Sequence, residues 1–75
     1  MIAYYRFQHE MPVKGEIVHC YKHKHAFWSF VKMMKSQDPE FARMKFWEIE
    51  GEFIKPDDDD VVVKVISARQ IHIAA

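Results

Sequence analysis

Aromatic and β-branched residues are concentrated in three segments of the chain, and their alternation with other residues predicts three β-strands. These segments are residues 2–9, 16–21 and 44–54. Residues 61–71 predict a fourth strand, which carries apolar side chains on both faces at its start and should therefore be covered on both sides. The short Pro/Asp segment 55–60 between the last two strands predicts a β-hairpin.

The apolar period changes between the second and third strands, which predicts an amphipathic helix over about residues 23–36. Its apolar stripe consists of Phe27, Phe30, Val31 and Met34, and Trp28 lies beside the stripe. Pro12 and Gly15 predict a turn before the second strand. Asp38 followed by Pro39 predicts a single helical turn before the third strand.

Together these elements predict an α+β fold: a small antiparallel sheet, in the order ββαββ, with one amphipathic helix on one face. The 75 residues should form a single domain over positions 1–75. We expect Trp47, Ile49 and Phe53 to face the helix. The glutamates that alternate with them should face solvent or a partner.

One helix cannot cover both faces of a four-stranded sheet, so the second face is expected to expose apolar side chains. The residues expected there are Tyr4, Phe46, Val62 and Ile66. A contiguous exposed apolar patch usually marks an interface. The sequence therefore predicts either a homodimer or a protein partner that covers this face.

Composition restricts the environment more than the activity. The 29% charged and 15% aromatic residues are typical of a folded domain, and the formal net charge of +0 argues against a dedicated nucleic-acid-binding protein. Cys20 is the only cysteine, which excludes an internal disulfide and fits a reducing compartment. Because no segment resembles a signal peptide or a membrane span, we expect a cytoplasmic protein.

Segment 19–25 is the densest group of chemically active side chains. Its potential metal ligands are His19, Cys20, His23 and His25. Imidazole and thiolate both suit zinc, but the spacing matches no common zinc framework, and neighbouring strand residues point to opposite faces. We therefore assign no metal ligand and expect no cofactor. The same segment, with Lys22, Lys24 and Trp28, is also a basic patch with interleaved aromatics that could contact nucleic acid.

The second half of the chain is acidic. Its carboxylates are Glu48, Glu50, Glu52, Asp57, Asp58, Asp59 and Asp60. The aspartate run lacks the glycine and the later glutamate of a calcium loop, and such runs more often keep a hairpin loop soluble. Joined to the glutamate row, it could form an acidic surface that competes for a nucleic-acid-binding site on another protein.

Catalysis is not predicted. His19 and Cys20 are neighbours on a strand and point apart, and Glu48 with Glu50 resembles an ordinary acidic row on a sheet. Two glycines cannot supply a phosphate-binding loop, and 75 residues leave little room for an enclosed pocket.

The C-terminal hairpin, in which residues 46–52 are followed by an acidic turn and by residues 61–71, resembles that of small uncharacterised phage and prophage proteins, some of them ADP-ribosyltransferase-like. The resemblance implies an origin in a phage or mobile element. Very small phage proteins commonly act by binding and blocking host machinery, including defence systems. A complete nicotinamide pocket does not fit into this length.

The sequence thus predicts a small non-enzymatic protein-interaction module, of the kind that phages use to inhibit a host protein or complex. The alternative is a small metal- or nucleic-acid-binding protein that uses segment 19–25, with nucleic acid the weaker candidate. The predicted partner-binding residues are Tyr4, Tyr5, Trp28, Trp47, Glu48, Glu50, Glu52, Asp57, Asp58, Asp59 and Asp60. Aromatic residues are chosen because they dominate interface energetics.

Overall fold

The computed structural model describes residues 3–58 and 60–72. Its elements are β1 (Ala3–Gln8), β2 (Ile17–Cys20), α1 (Lys24–Gln37), a 3₁₀ turn (Phe41–Arg43), β3 (Lys45–Asp57) and β4 (Asp60–Ile71). The predicted α+β class and the order ββαββ are confirmed. No helix in the described ranges is long and apolar enough to cross a membrane.

The four strands form one antiparallel sheet in the order β1-β3-β4-β2. The sheet curls until its two outer strands approach each other. The amide of Tyr5 in β1 donates to the carbonyl of Tyr21, just after β2, at 2.9 Å, and the amide of Tyr21 donates back at 2.7 Å. One end of the sheet is therefore closed, which removes part of the exposed strand edge.

Curling divides the core into two clusters. The concave side holds strand residues only: Tyr4, Val18, Cys20, Trp47, Ile49, Val61, Val63 and Val65. The convex side packs against α1 and the 3₁₀ turn through Tyr5, Phe27, Val31, Phe41 and Phe46. At the centre of the second cluster, the ring of Phe27 lies 5.7 Å from that of Tyr5 and 6.2 Å from that of Phe46.

The prediction of which face of β3 meets the helix is wrong. Trp47 and Ile49 lie on the concave side, and Phe46 instead packs under α1. Phe53 is 48% exposed because it lies between two irregularities in the pairing of β3 with β4. Such bulges redirect side chains out of the regular alternation.

The prediction of an exposed apolar second face is also wrong, because the curled sheet encloses Tyr4 and α1 covers Phe46. Tyr4, Phe46 and Val62 are all buried, and of the expected set only Ile66 is substantially exposed. Three of the four side chains that were expected to form the exposed apolar patch are therefore covered within the chain.

Candidate functional site

A cleft of about 720 Å³ opens between α1 and the end of the β3–β4 hairpin that lies far from its turn. Its lining residues are Lys24, His25, Trp28, Lys32, Glu48, Arg69, Ile71 and His72. Lys24, Trp28 and Lys32 are spaced four residues apart, so they form a row on one side of α1. The opposite wall comes from β3 and β4.

Trp28 is the aromatic surface of the cleft. Its indole meets the ring of Phe46 edge to face at a centroid distance of 5.8 Å, and Phe46 is itself buried. The side chain is half-buried, so packing fixes one part of the ring while another part lines the cleft. A ring held in this way offers contact area to a ligand at little cost in conformational entropy.

Arg69 is positioned by an ion pair on the opposite wall. It faces Glu48 across the two strands, and its Nε and Nη2 atoms each lie 3.1 Å from Oε1 of that carboxylate. The arginine side chain remains 73% exposed. Such a pair contributes at most about 1 kcal/mol to stability. Its consequence here is that the guanidinium is held beside the cleft without leaving the solvent.

The cleft carries a net positive charge. Its permanent cations are Lys24, Lys32 and Arg69, against the single carboxylate of Glu48. An adjoining groove of about 260 Å³, which shares Ile71 and His72 with the cleft, brings in two more lysines. These are Lys35 and Lys45. The basic surface thus continues along the same side of the molecule.

Three of the predicted aromatic anchors are not surface residues. Tyr4 and Trp47 lie in the concave core, and Tyr5 lies beneath α1. The indole Nε1 of Trp47 donates to the carbonyl of Gln8 at 3.1 Å, as a buried indole requires. Because both faces of the curled sheet are covered, these rings stabilise the fold. Of the predicted aromatic residues, Trp28 is the one that lines the cleft.

The predicted glutamate row does not form a continuous acidic face. Glu48 belongs to the basic cleft, where it pairs with Arg69. Glu50 is half-buried opposite Ser67, and Glu52 is exposed opposite Lys64. The cross-strand partners therefore dilute or neutralise the row.

The aspartates lie at the other end of the β3–β4 hairpin. Asp57, Asp58 and Asp60 border a groove of about 250 Å³ together with Tyr21, whereas Asp59 lies outside the described residues. Eight residues of β3 separate Glu48 from Asp57, so the row and the aspartate run do not combine into one surface.

Segment 19–25 is dispersed by the fold. The predicted opposite orientations of His19 and Cys20 are confirmed, since the first is exposed and the second lies in the concave core. Burial raises the pKa of the Cys20 thiol to about 12, so it remains protonated and is a poor metal ligand. His23 is exposed at the start of α1, and His25 lines the cleft. The four side chains do not assemble into one site.

Comparison of the chain with protein-family models, curated proteins and solved structures finds no match. The class is therefore defined by its own geometry: a small α+β domain with a curled four-stranded sheet and a basic, tryptophan-lined cleft.

Proposed function

We propose that this protein is a non-enzymatic protein-interaction module whose cleft binds an acidic segment of a partner protein. The observation that carries the proposal is the row of Lys24, Trp28 and Lys32 on α1, which faces Arg69 across the cleft. A basic rim around an aromatic and aliphatic floor matches a peptide that combines carboxylates with apolar side chains.

The lining favours a protein segment over nucleic acid. Most of the cleft surface is apolar, and Glu48 places a negative charge within it. Binding of nucleic acid in the cleft would be opposed by this carboxylate. A formal net charge of +0 also gives no long-range attraction to a polyanion.

Two features support a role without catalysis. The Cys20 thiol is buried, with a raised pKa, and it points away from His19. Glu48, the carboxylate in the cleft, accepts a hydrogen bond from Nε of Arg69 and forms an ion pair with Nη2 of the same side chain, which suits a structural role.

The narrower form of the proposal is that the partner is a host protein or complex, such as a defence system, which the module blocks. It rests on the resemblance of the C-terminal hairpin to small phage and prophage proteins. A direct assay expresses the protein in a defended bacterial strain and measures phage plating. Restored plating that is lost on cleft substitution supports this form, and unchanged plating in a panel of such strains contradicts it.

The cleft itself is tested with a yeast-displayed library of random peptides, selected on the immobilised protein. We expect the enriched peptides to combine acidic with apolar residues. The double variant Lys24→Gln/Lys32→Gln should weaken their binding about tenfold or more, which corresponds to about 1.4 kcal/mol. Trp28→Ala should weaken it by at least as much, because the indole is the fixed contact surface.

The matched control is Lys14→Gln/Lys64→Gln, which removes the same charge from two exposed lysines outside the cleft. It should leave peptide binding within about twofold of the wild type. Equal losses in both double variants would show a nonspecific charge effect and would refute the site. Steeply salt-dependent binding of single-stranded oligonucleotides, lost in the Lys24/Lys32 variant alone, would favour nucleic acid instead.

A further inference from the structure

The turn of the β3–β4 hairpin brings two aspartates next to a histidine from β2. His19 lies opposite Val62 of β4, and Asp60 lies two residues before Val62, on the same face. Asp57 is paired with Asp60 across the hairpin. Nδ1 of His19 is 3.0 Å from Oδ2 of Asp57 and 3.8 Å from Oδ1 of Asp60.

We propose that His19, Asp57 and Asp60, here named the tip cluster, form a binding site for a divalent transition-metal ion. One donor atom from each residue lies within 4.8 Å of the other two. Ligands that share an ion through bonds of about 2.1 Å are themselves about 3.0 to 3.4 Å apart. The side chains are 57%, 42% and 31% exposed, so the small rotations that bring all three donors to one ion meet little packing resistance.

The donor set selects the class of metal. One imidazole with two carboxylates suits borderline ions such as Zn²⁺ or Mn²⁺, whereas Ca²⁺ and Mg²⁺ are usually held by oxygen atoms alone. Three different strands supply the ligands, since His19 lies in β2, Asp57 ends β3 and Asp60 begins β4. Segment 19–25 lacks such an arrangement by itself. The linear sequence hides this set because 37 residues or more separate the histidine from the aspartates.

The groove beside the tip cluster gives a second reason. It has a volume of about 250 Å³ and is bordered by Asp57, Asp58, Asp60 and Tyr21. It therefore has room for the water molecules that complete the coordination of an ion with three protein ligands. Among the described residues, the ion pairs of Asp57 and Asp60 are both with His19, which leaves an excess of negative charge. A divalent cation offsets this excess.

A bound metal ion should stabilise the contact between the turn of the β3–β4 hairpin and β2. The site is independent of the proposed peptide cleft, which lies at the other end of the same hairpin. Failure of one proposal therefore leaves the other intact.

The test uses the full chain after treatment with a chelator, with Zn²⁺ and Mn²⁺ as probes in calorimetry and thermal unfolding. We expect one ion per chain and a rise in Tm of several degrees at saturation. His19→Ala, and separately Asp57→Asn/Asp60→Asn, should lower the affinity at least tenfold. All three positions are partly exposed, so the variants should keep the wild-type far-UV circular dichroism spectrum.

His23→Ala is the matched control, because it removes an exposed imidazole four residues away in the same segment. It should bind Zn²⁺ like the wild type. Amide NMR shifts on Zn²⁺ addition should centre on His19 and on Asp57 and Asp60. Zn²⁺ affinity that survives His19→Ala, or that falls equally in His23→Ala, overturns the proposal, as does binding of Ca²⁺ alone.

Discussion

Gly51 is the position where a single added carbon atom should do the most damage to the sheet. It lies in β3 opposite Val65, beside a register shift in which Glu50 pairs with Ser67. A Cβ atom at this position would meet Cγ1 of Val63 and would lie 2.6 Å from the carbonyl oxygen of Lys64. Glycine in a strand interior often marks such a close approach of another backbone.

The expected cost of Gly51→Ala follows from what these atoms can do. Val63 is fully buried, so its methyl group cannot rotate into free space, and the Lys64 oxygen belongs to the backbone of the paired strand. Relief therefore requires β4 to move away from β3, an overpacking effect of about 1–3 kcal/mol. Alanine also lowers the conformational entropy of the unfolded chain, which offsets about 0.4–1 kcal/mol of this loss of stability. We expect a net loss of about 1–2 kcal/mol, or a fall in Tm of about 4–16 °C.

Urea unfolding, followed by tryptophan fluorescence, measures this loss. A double-mutant cycle with Val63→Ala isolates the clash, because the shorter side chain removes one of the two contacts but leaves the Lys64 carbonyl. Gly51→Ala should therefore cost at least about 0.5 kcal/mol less in the Val63→Ala background than in the wild type. A cost below about 0.5 kcal/mol in the wild type, or a cycle without coupling, would refute the reasoning.

Three further predictions test the core. Burial raises the pKa of the Cys20 thiol from 9.0 to about 12, so as the pH rises the unfolded chain loses this proton before the folded chain does. The free energy of unfolding should therefore fall as pH rises from 9 towards 12. Cys20→Ala should make the urea midpoint less dependent on pH in this range. Trp47→Phe, which removes the hydrogen bond to the Gln8 carbonyl, should cost about 2 kcal/mol, whereas Trp28→Phe should cost less than about 1 kcal/mol in the same urea assay; equal costs would contradict the two environments. Light scattering during size-exclusion chromatography should give the mass of one chain at all concentrations, because Phe46 and Val62 are covered within the chain; a stable dimer would contradict this expectation.

Residue periodicity was sufficient for the order of the elements. The helical stripe of Phe27 and Val31 is buried in α1, as its spacing predicts. The strands needed only small changes, the largest of which is that β3 continues through Pro56 to Asp57 and makes the hairpin turn tighter than expected. A proline is tolerated there because it lies at the end of the strand.

The curvature of the sheet could not be predicted from the alternation of apolar and polar residues. Alternation shows which side chains share a face, but in β3 Phe46 and Trp47 make both faces apolar at the same point. Which face becomes concave depends on the pairing of Tyr5 with Tyr21, a contact across the whole sheet. The assignment of the helix-facing side failed for this reason, and the expected open apolar face failed with it.

Only one of the two walls of the cleft could be predicted from the sequence. The spacing of Lys24, Trp28 and Lys32 places them in one row on a helix, so the α1 wall follows from the pattern alone. The opposite wall requires the strand register that sets Arg69 against Glu48, and that register depends on where the hairpin irregularities fall. The tip cluster is harder still, because the β2–β4 pairing that creates it joins strands that are not neighbours in the chain.

The formal net charge of zero reflects equal numbers of basic and acidic residues, but the basic cleft and the aspartates lie at opposite ends of the β3–β4 hairpin. Arg69 at the cleft lies nine positions after Asp60 at the tip cluster along β4, which is roughly 30 Å of extended strand. The Debye length is about 10 Å at 0.1 M salt, so the two ends should be electrostatically independent under physiological conditions. The cleft should then attract an acidic segment without appreciable repulsion from the aspartates, and the hairpin turn should attract a cation without appreciable repulsion from the lysines. Asp57→Asn/Asp60→Asn should accordingly leave peptide binding unchanged at 0.15 M salt, and a loss of peptide affinity in that variant would show that the two ends are coupled.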